Sequence, residues 1–317
     1  MAQVIRKIGV LGAGTMGHGI AESFAMYGYD VSLYDVNAAV LDESKTLIEQ
    51  ELEMLAAESF IRNEEIPEIL DRIHPFTDLK LAVQDRDYVI ESAPEDIGLK
   101  QNLFKQLDEL CPPHTILASN TSSLPLNEMM ALVSAGRRQR MMVSHMFNPA
   151  HLIPLVELSH FGNMPEDVFK TVEDLYASIR KQPVRVLKDV PGLVANRIMQ
   201  GVAREVFSLI EQGVAEAGDI DRALKFGPAF RYATTGQLEV SDFGGLDLWC
   251  LVADKLLKVM DNSQGANKLL RQKVSEGKLG VKSGEGFYKY DPEKVAEIKK
   301  RFMTRLIRQL KASQTYI

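Results

Sequence analysis

The sequence predicts an α/β chain in which a doubly wound, largely parallel sheet is followed by an all-α domain. Three observations predict it. Strand and helix signals alternate as far as about residue 187, the pattern of an open sheet with helices on both faces. A glycine-rich turn separates the first strand from the first helix. Beyond Asp189-Val190-Pro191-Gly192 the alternation stops and helical periodicity takes over. The boundary therefore falls near 188–192, with an N-terminal domain over 1–189 and a helical C-terminal domain over 190–317. A chain of 317 residues, 45% of them hydrophobic, can fill two cores.

The first strand, near 5–11, runs into GAGTMG, where Gly12, Gly14 and Gly17 form G-x-G-x-x-G around Thr15 and Met16. The first glycine permits a tight turn, the second lets backbone approach a pyrophosphate, and the third lets helix pack on strand. The helix that follows offers free N–H groups to the phosphates. A second strand, 31–35, ends on Asp35, 18 positions after Gly17, near the spacing of a carboxylate that accepts hydrogen bonds from the adenosine ribose. A carboxylate there repels an added phosphate, so NAD is expected over NADP. Together these signals make the N-terminal domain Rossmann-type.

Residues 37–72 read as a helical insertion rich in Leu, Glu and Ala. Strands follow near 73–76, 87–91, 115–119, 141–146, 154–159 and 184–187. The basic run Gly136 to Arg140 enters a strand at its N-terminal end, whereas ligands bind such sheets at the carboxyl ends; it reads as a solvated loop. The C-terminal domain is expected to hold helices over 193–216, 219–225, 246–260, 266–276 and 292–311. The last carries Val295, Ile298, Phe302, Leu306 and Leu310 at helical spacing. Such a stripe points to packing, on the C-terminal domain or in a dimer contact.

The segment SHMFNPAHLIPLVEL, Ser144 to Leu158, carries the chemistry. One apolar strand delivers His145 into an Asn-Pro turn, and a second brings back Glu157. A carboxylate on one ring nitrogen fixes the tautomer of a histidine and makes the other nitrogen a better base. Alone, the motif reads as a satisfied core histidine; the nucleotide fingerprint upstream turns it into a general base.

Composition excludes several other roles. Cys111 and Cys250 give neither a disulfide framework nor metal-ligand spacing. His151 and His160 follow His145 at intervals that fit no helix-face metal pair, so no metal is expected. The net charge of −6 argues against nucleic acid as a partner. No apolar run reaches membrane-spanning length, and the start MAQVIRKIGV leaves no room for a signal peptide. The expected location is cytoplasmic, with a small molecule as the partner.

GAGTMG, ASNTSSL, SHMFNP, LVEL, DVPGLVANRI and GVKSGEGFYKY occur in this order over nearly the whole chain. In this it resembles the 3-hydroxyacyl-CoA dehydrogenase family, which includes 3-hydroxybutyryl-CoA dehydrogenases and the lambda-crystallin (L-gulonate dehydrogenase) branch. The resemblance implies that His145 is the catalytic base and Glu157 its partner. It implies that Ser123 and Asn196 stand beside the reacting oxygen, and that Glu95, Lys100, Asn148 and Lys282 contact the cofactor. It also implies a homodimer through the helical domain.

The substrate is less sharply defined than the reaction. Acyl-CoA members commonly carry lysines in the insertion after the second strand, near the CoA phosphates, whereas MLAAESFIRNEEIPEIL here is acidic with Arg62 as its single base. FRYATTGQLE looks like the lambda-crystallin branch, while GGLD and KSGEGFYKY look like the acyl-CoA enzymes. A 3-hydroxyacyl-CoA is the leading expectation and a free hydroxy acid the alternative. A structural NAD-binding role without turnover comes third, since it has no need of an intact His145 and Glu157.

Overall fold

The computed structural model describes residues 4–316, which divide into two compact units: residues up to Val194 together with Leu306–Leu310, and Ala195–Arg305 together with the residues from Lys311 onward. In the first unit, strands β1 (Lys7–Leu11), β2 (Asp30–Tyr34), β3 (Ile73–Phe76), β4 (Tyr88–Glu91), β5 (Ile116–Ser119), β6 (Met141–Met146), β7 (Leu155–Ser159) and β8 (Gln182–Val186) form one sheet in the order β3-β2-β1-β4-β5-β6-β7-β8. Every neighbouring pair is parallel except β6 and β7, which run antiparallel. Strand order reverses between β1 and β4, the switch point at which such sheets bind ligands.

The helices of this unit are α1 (Gly17–Ala25), α2 (Ala38–Ala57), α3 (Ile66–Asp71), α4 (Leu79–Val83), α5 (Ile97–Leu110), α6 (Leu126–Met129), α7 (Ala135–Arg138) and α8 (Glu166–Ser178). Polar side chains start several of them. Asn37, Asp78, Asp96 and Ser134 accept the N–H groups of Ala39, Leu81, Leu99 and Arg137 and so satisfy first-turn donors. β4, β5 and β6 are buried along their full length, as strands covered on both faces must be. Leu11, Val89, Leu117 and Val143 from these strands and β1 pack with Phe104 and Leu107 of α5.

The second unit is helical: α9 (Ala195–Glu211), α10 (Ala217–Phe226), α11 (Pro228–Tyr232), α12 (Gln237–Gly244), α13 (Leu246–Leu256), α14 (Lys268–Ser275) and α15 (Val295–Ser313). The short helices α11 and α12 occupy FRYATTGQLE and its surroundings, where the sequence shows no apolar period.

Two expectations are corrected. The basic run at 136–140 is not a solvated loop. Arg137 lies buried on α7, and its guanidinium donates to Asp108 and to the carbonyls of Cys111, Pro112 and Thr115. The end of α15 does not dress the C-terminal domain alone: Leu306–Leu310 groups with the first unit, where Ile307 is 1% exposed and Arg308 pairs with Glu58 at 2.8 and 3.1 Å.

Candidate active site

At the carboxyl end of β1 the three glycines meet three different demands. Gly12 has φ +91°, and a Cβ there would stand 2.7 Å from the Ser92 carbonyl oxygen. A Cβ on Gly17 would fall 1.6 Å from the Gly12 carbonyl oxygen. Around Gly14, by contrast, no described atom lies within 4 Å of a Cβ position, so backbone is open to a ligand there. Thr15 is exposed and Met16 half-buried. Met16 stands at the N-cap of α1 without a side-chain cap, so no side chain competes with an anion for the first-turn N–H groups, of which that of His18 makes a long bond of 3.4 Å to the Gly14 carbonyl. Asp35 is held beside this turn, Oδ2 accepting from Ala13 N at 2.9 Å and Oδ1 from Asn37 N at 3.0 Å. These residues fit a dinucleotide.

At the end of β4 lies a buried ionic network that spacing alone does not reveal. Glu91, fully buried, accepts Lys100 Nζ at 2.7 and 3.0 Å, the Ser119 hydroxyl and Ala93 N. Lys100 is 1% exposed and also reaches Glu95 at 3.2 Å. Its ammonium is thus committed to two carboxylates. Glu95 in turn accepts the hydroxyls of Thr121 and, at 2.8 Å, Ser123. Burial opposes its ionisation, but the Thr121 and Ser123 hydroxyls and the Lys100 charge outweigh burial and hold the carboxyl below its ordinary range. The structure therefore brings Glu95, Lys100 and Ser123 together and adds Glu91, Ser119 and Thr121. Ser123 does not cap α6: the Leu126 N–H is taken by Asp189 at 2.8 Å.

His145 and Glu157 are direct cross-strand partners in the β6–β7 pair, so their side chains leave the same face. His145 Nδ1 lies 2.9 Å from Glu157 Oε2, and Glu157 Oε1 accepts Val194 N at 2.8 Å. Glu157 is wholly buried and His145 is 7% exposed. The carboxylate assigns the ring proton to Nδ1 and leaves Nε2 as the accepting nitrogen. Asn120, of the SNTSSL segment, accepts Met146 N at 2.8 Å and so ties that segment to β6. Asn148 is exposed in the turn after β6. Asn196, half-buried near the start of α9, and the exposed Lys282, in the 3-10 turn Val281–Ser283, belong to the second unit.

His151 does not pair with His160. Its Nδ1 lies 3.5 Å from Glu22 Oε2 and 3.5 Å from Glu51 Oε2, while His160 bonds Glu166. Burial pushes the His151 imidazole down to about 4. Burial, and then the Glu51 charge, push the Glu22 carboxyl well up. Lys181, pushed down to about 7 by burial, donates to the carbonyls of Ala150 and Ile153.

Comparison with known proteins finds relatives over almost the whole chain. Residues 7–190 match the family described as 3-hydroxyacyl-CoA dehydrogenase, NAD binding domain, and residues 192–290 match 3-hydroxyacyl-CoA dehydrogenase, C-terminal domain. The chain is 33% identical to the 5-formyl-3-hydroxy-2-methylpyridine 4-carboxylate 5-dehydrogenase of Mesorhizobium japonicum, over 96% of this chain and 97% of that one. It is 37% identical to the probable 3-hydroxybutyryl-CoA dehydrogenase of Bacillus subtilis, over 90% and 98%. Among solved structures, a 5-formyl-3-hydroxy-2-methylpyridine 4-carboxylic acid 5-dehydrogenase, an NAD+-dependent dismutase, superposes with TM-score 0.89 at 30% identity over 98% of this chain and 99% of that one. The (S)-3-hydroxybutyryl-CoA dehydrogenase of Ralstonia eutropha does so with TM-score 0.72 at 30% identity over 91% and 100%. The chain belongs to the 3-hydroxyacyl-CoA dehydrogenase family and is an NAD-dependent oxidoreductase acting on a CH–OH group.

Proposed function

We propose that His145 and Glu157 are the acid–base pair of this oxidoreductase and that its substrate is the hydroxyl of a compact free carboxylate. Bound NAD+ supplies the hydride acceptor. His145 Nε2 takes the hydroxyl proton, and Glu157 holds the ring in place and stabilises the resulting imidazolium. The hydroxyl of Ser123 and the amide of Asn196 are the groups proposed to steady the reacting oxygen. The reaction rests on the buried His145–Glu157 contact of 2.9 Å.

One observation favours the free acid over the CoA thioester that leads the sequence reading. In the segment from Met54 to Leu70 the one base, Arg62, is ion-paired with Glu65 at 3.3 Å, and beside it Arg308 pairs with Glu58; on α2 itself Lys45 is the one base. Glu64 and Glu68 add further negative charge. CoA would bring several phosphates to this acidic face, whereas a monocarboxylate needs one cation. The resemblance to the pyridine-carboxylate dehydrogenase over almost the whole chain supports the same reading. The deciding experiment is an NAD-coupled assay of 3-hydroxybutyryl-CoA, 3-hydroxybutyrate, L-gulonate, carnitine and hydroxymethyl- or formylpyridine carboxylates side by side. Turnover confined to free acids is expected; efficient acetoacetyl-CoA reduction restores the CoA reading. We also propose a homodimer through the helical unit, whose exposed apolar residues include Ile198, Met199, Phe230, Leu248 and Trp249.

A further inference from the structure

We propose that Glu22, Glu51 and His151 form a site for one divalent cation of the zinc class, bracing the cofactor-binding end of the first unit. The donors come from three segments: Glu22 from α1, Glu51 from α2 and His151 from the loop after β6. The Glu22 side chain is fully buried, His151 is 2% exposed and Glu51 14%. Their ligating atoms all lie within 4.8 Å of one another. Among the described residues no N–H or hydroxyl group of another side chain or of the backbone donates to either Glu22 oxygen or to Glu51 Oε2, the two carboxyls stand within hydrogen-bond reach of each other with the Lys181 charge acting on Glu22, and His151 Nδ1 has no hydrogen-bond partner. A buried carboxylate with no donor is costly unless a charge compensates it.

A proton shared by Glu22 and Glu51 would satisfy two of the three groups and leave His151 Nδ1 without a partner, whereas a cation engages all three. The two 3.5 Å separations from His151 Nδ1 are too long for good hydrogen bonds. They match the edge of a tetrahedron whose ligands stand about 2.0–2.1 Å from a central ion, which is about 3.3–3.4 Å. One imidazole with two carboxylates suits zinc or a neighbouring first-row ion and leaves a fourth position for water. Gly19 makes room for the ring, since a Cβ there would stand 3.3 Å from His151 Nδ1. An outer partner is also in place: His18 Nε2 lies 3.5 Å from Glu51 Oε1, and its Nδ1 lies 2.7 Å from the carbonyl oxygen of Gly14. The site is thereby linked to the glycine turn, as outer partners orient metal ligands elsewhere.

The test uses the untagged full-length chain, stripped with a chelator and titrated with zinc, manganese and cobalt chlorides. The expected result is one zinc per chain by elemental analysis, a melting temperature raised by several degrees, and a cobalt complex with the visible absorption of a four-coordinate ion. Glu22→Gln and His151→Gln should each weaken zinc binding by about tenfold or more. The cobalt spectrum needs no variant, so a variant that fails to fold leaves the test intact. Wild-type protein that takes up no ion at millimolar metal overturns the proposal. So does binding unchanged in both folded variants, which marks a surface site.

Discussion

At the scale of single residues, the proposed chemistry rests on where two protons sit. His145→Asn should fold and bind NAD as the wild type does while turnover falls by roughly a hundred- to ten-thousandfold; steady-state kinetics beside calorimetry of NAD binding measures both. Near-normal turnover in that variant removes His145 from the mechanism. Glu157→Gln should slow turnover and displace the pH profile, and the double variant should lose less than the product of the single losses, since the two residues act as a unit. Asp35 governs the cofactor rather than the chemistry. Asp35→Ala should weaken NAD binding and narrow the preference over NADP, because the ribose loses an acceptor and an added phosphate loses its repulsion. Tighter binding of NADP than NAD by the wild type contradicts that role. The His145–Glu157 pair was legible because both residues stand in adjacent apolar strands. Glu91 and Ser119 were not, because their meaning comes from Lys100 folding inward to meet them. His151 is a further case: its neighbours Glu22 and Glu51 lie a hundred or more positions away, where intervals between histidines carry no information.

Elements supply a different kind of prediction, since α5 and α7 are held together by one ion pair. Burial opposes ionisation of Asp108, but the Ser134 backbone and hydroxyl and the Arg137 guanidinium outweigh it and lower the carboxyl. A lowered folded pKa means that this stabilisation is complete above the ordinary carboxyl value of about 3.9 and is lost as pH falls through the lower folded value. Asp108→Asn should therefore be less stable than wild type at pH 7, with the gap closing towards pH 3, as read by urea unfolding across pH. Arg137→Met should cost roughly 3 kcal/mol, since it removes the side-chain donor from three carbonyls and the cation from Asp108, which keeps only its Ser134 donors. A difference below about 0.5 kcal/mol would return the run to the surface role that its charge suggests. Strands were readable to within about two residues because runs such as YVIE and ILAS are buried on both faces. α11 and α12 were not, because FRYATTGQLE offers glycine and threonine where a helix period should be.

For the molecule as a whole, the helical unit leaves Ile198 65% exposed and Leu248 53% exposed, more apolar surface than a soluble monomer usually shows. Light scattering at micromolar concentration should give twice the chain mass, and a monomer there would contradict the proposed dimer. Among the described residues no helix is long and apolar enough to cross a membrane. One feature of the chain's path reaches into synthesis itself. Glu58 and Arg308 are 250 positions apart, and both belong to the first unit. That unit begins to emerge from the ribosome long before the peptide that seals it exists, so an early N-terminal domain must wait unfinished while the helical unit is translated. The buried Ile307 is the last piece of its core to arrive. A chain interrupted before residue 306 thus carries its defect in both units, the one made first included.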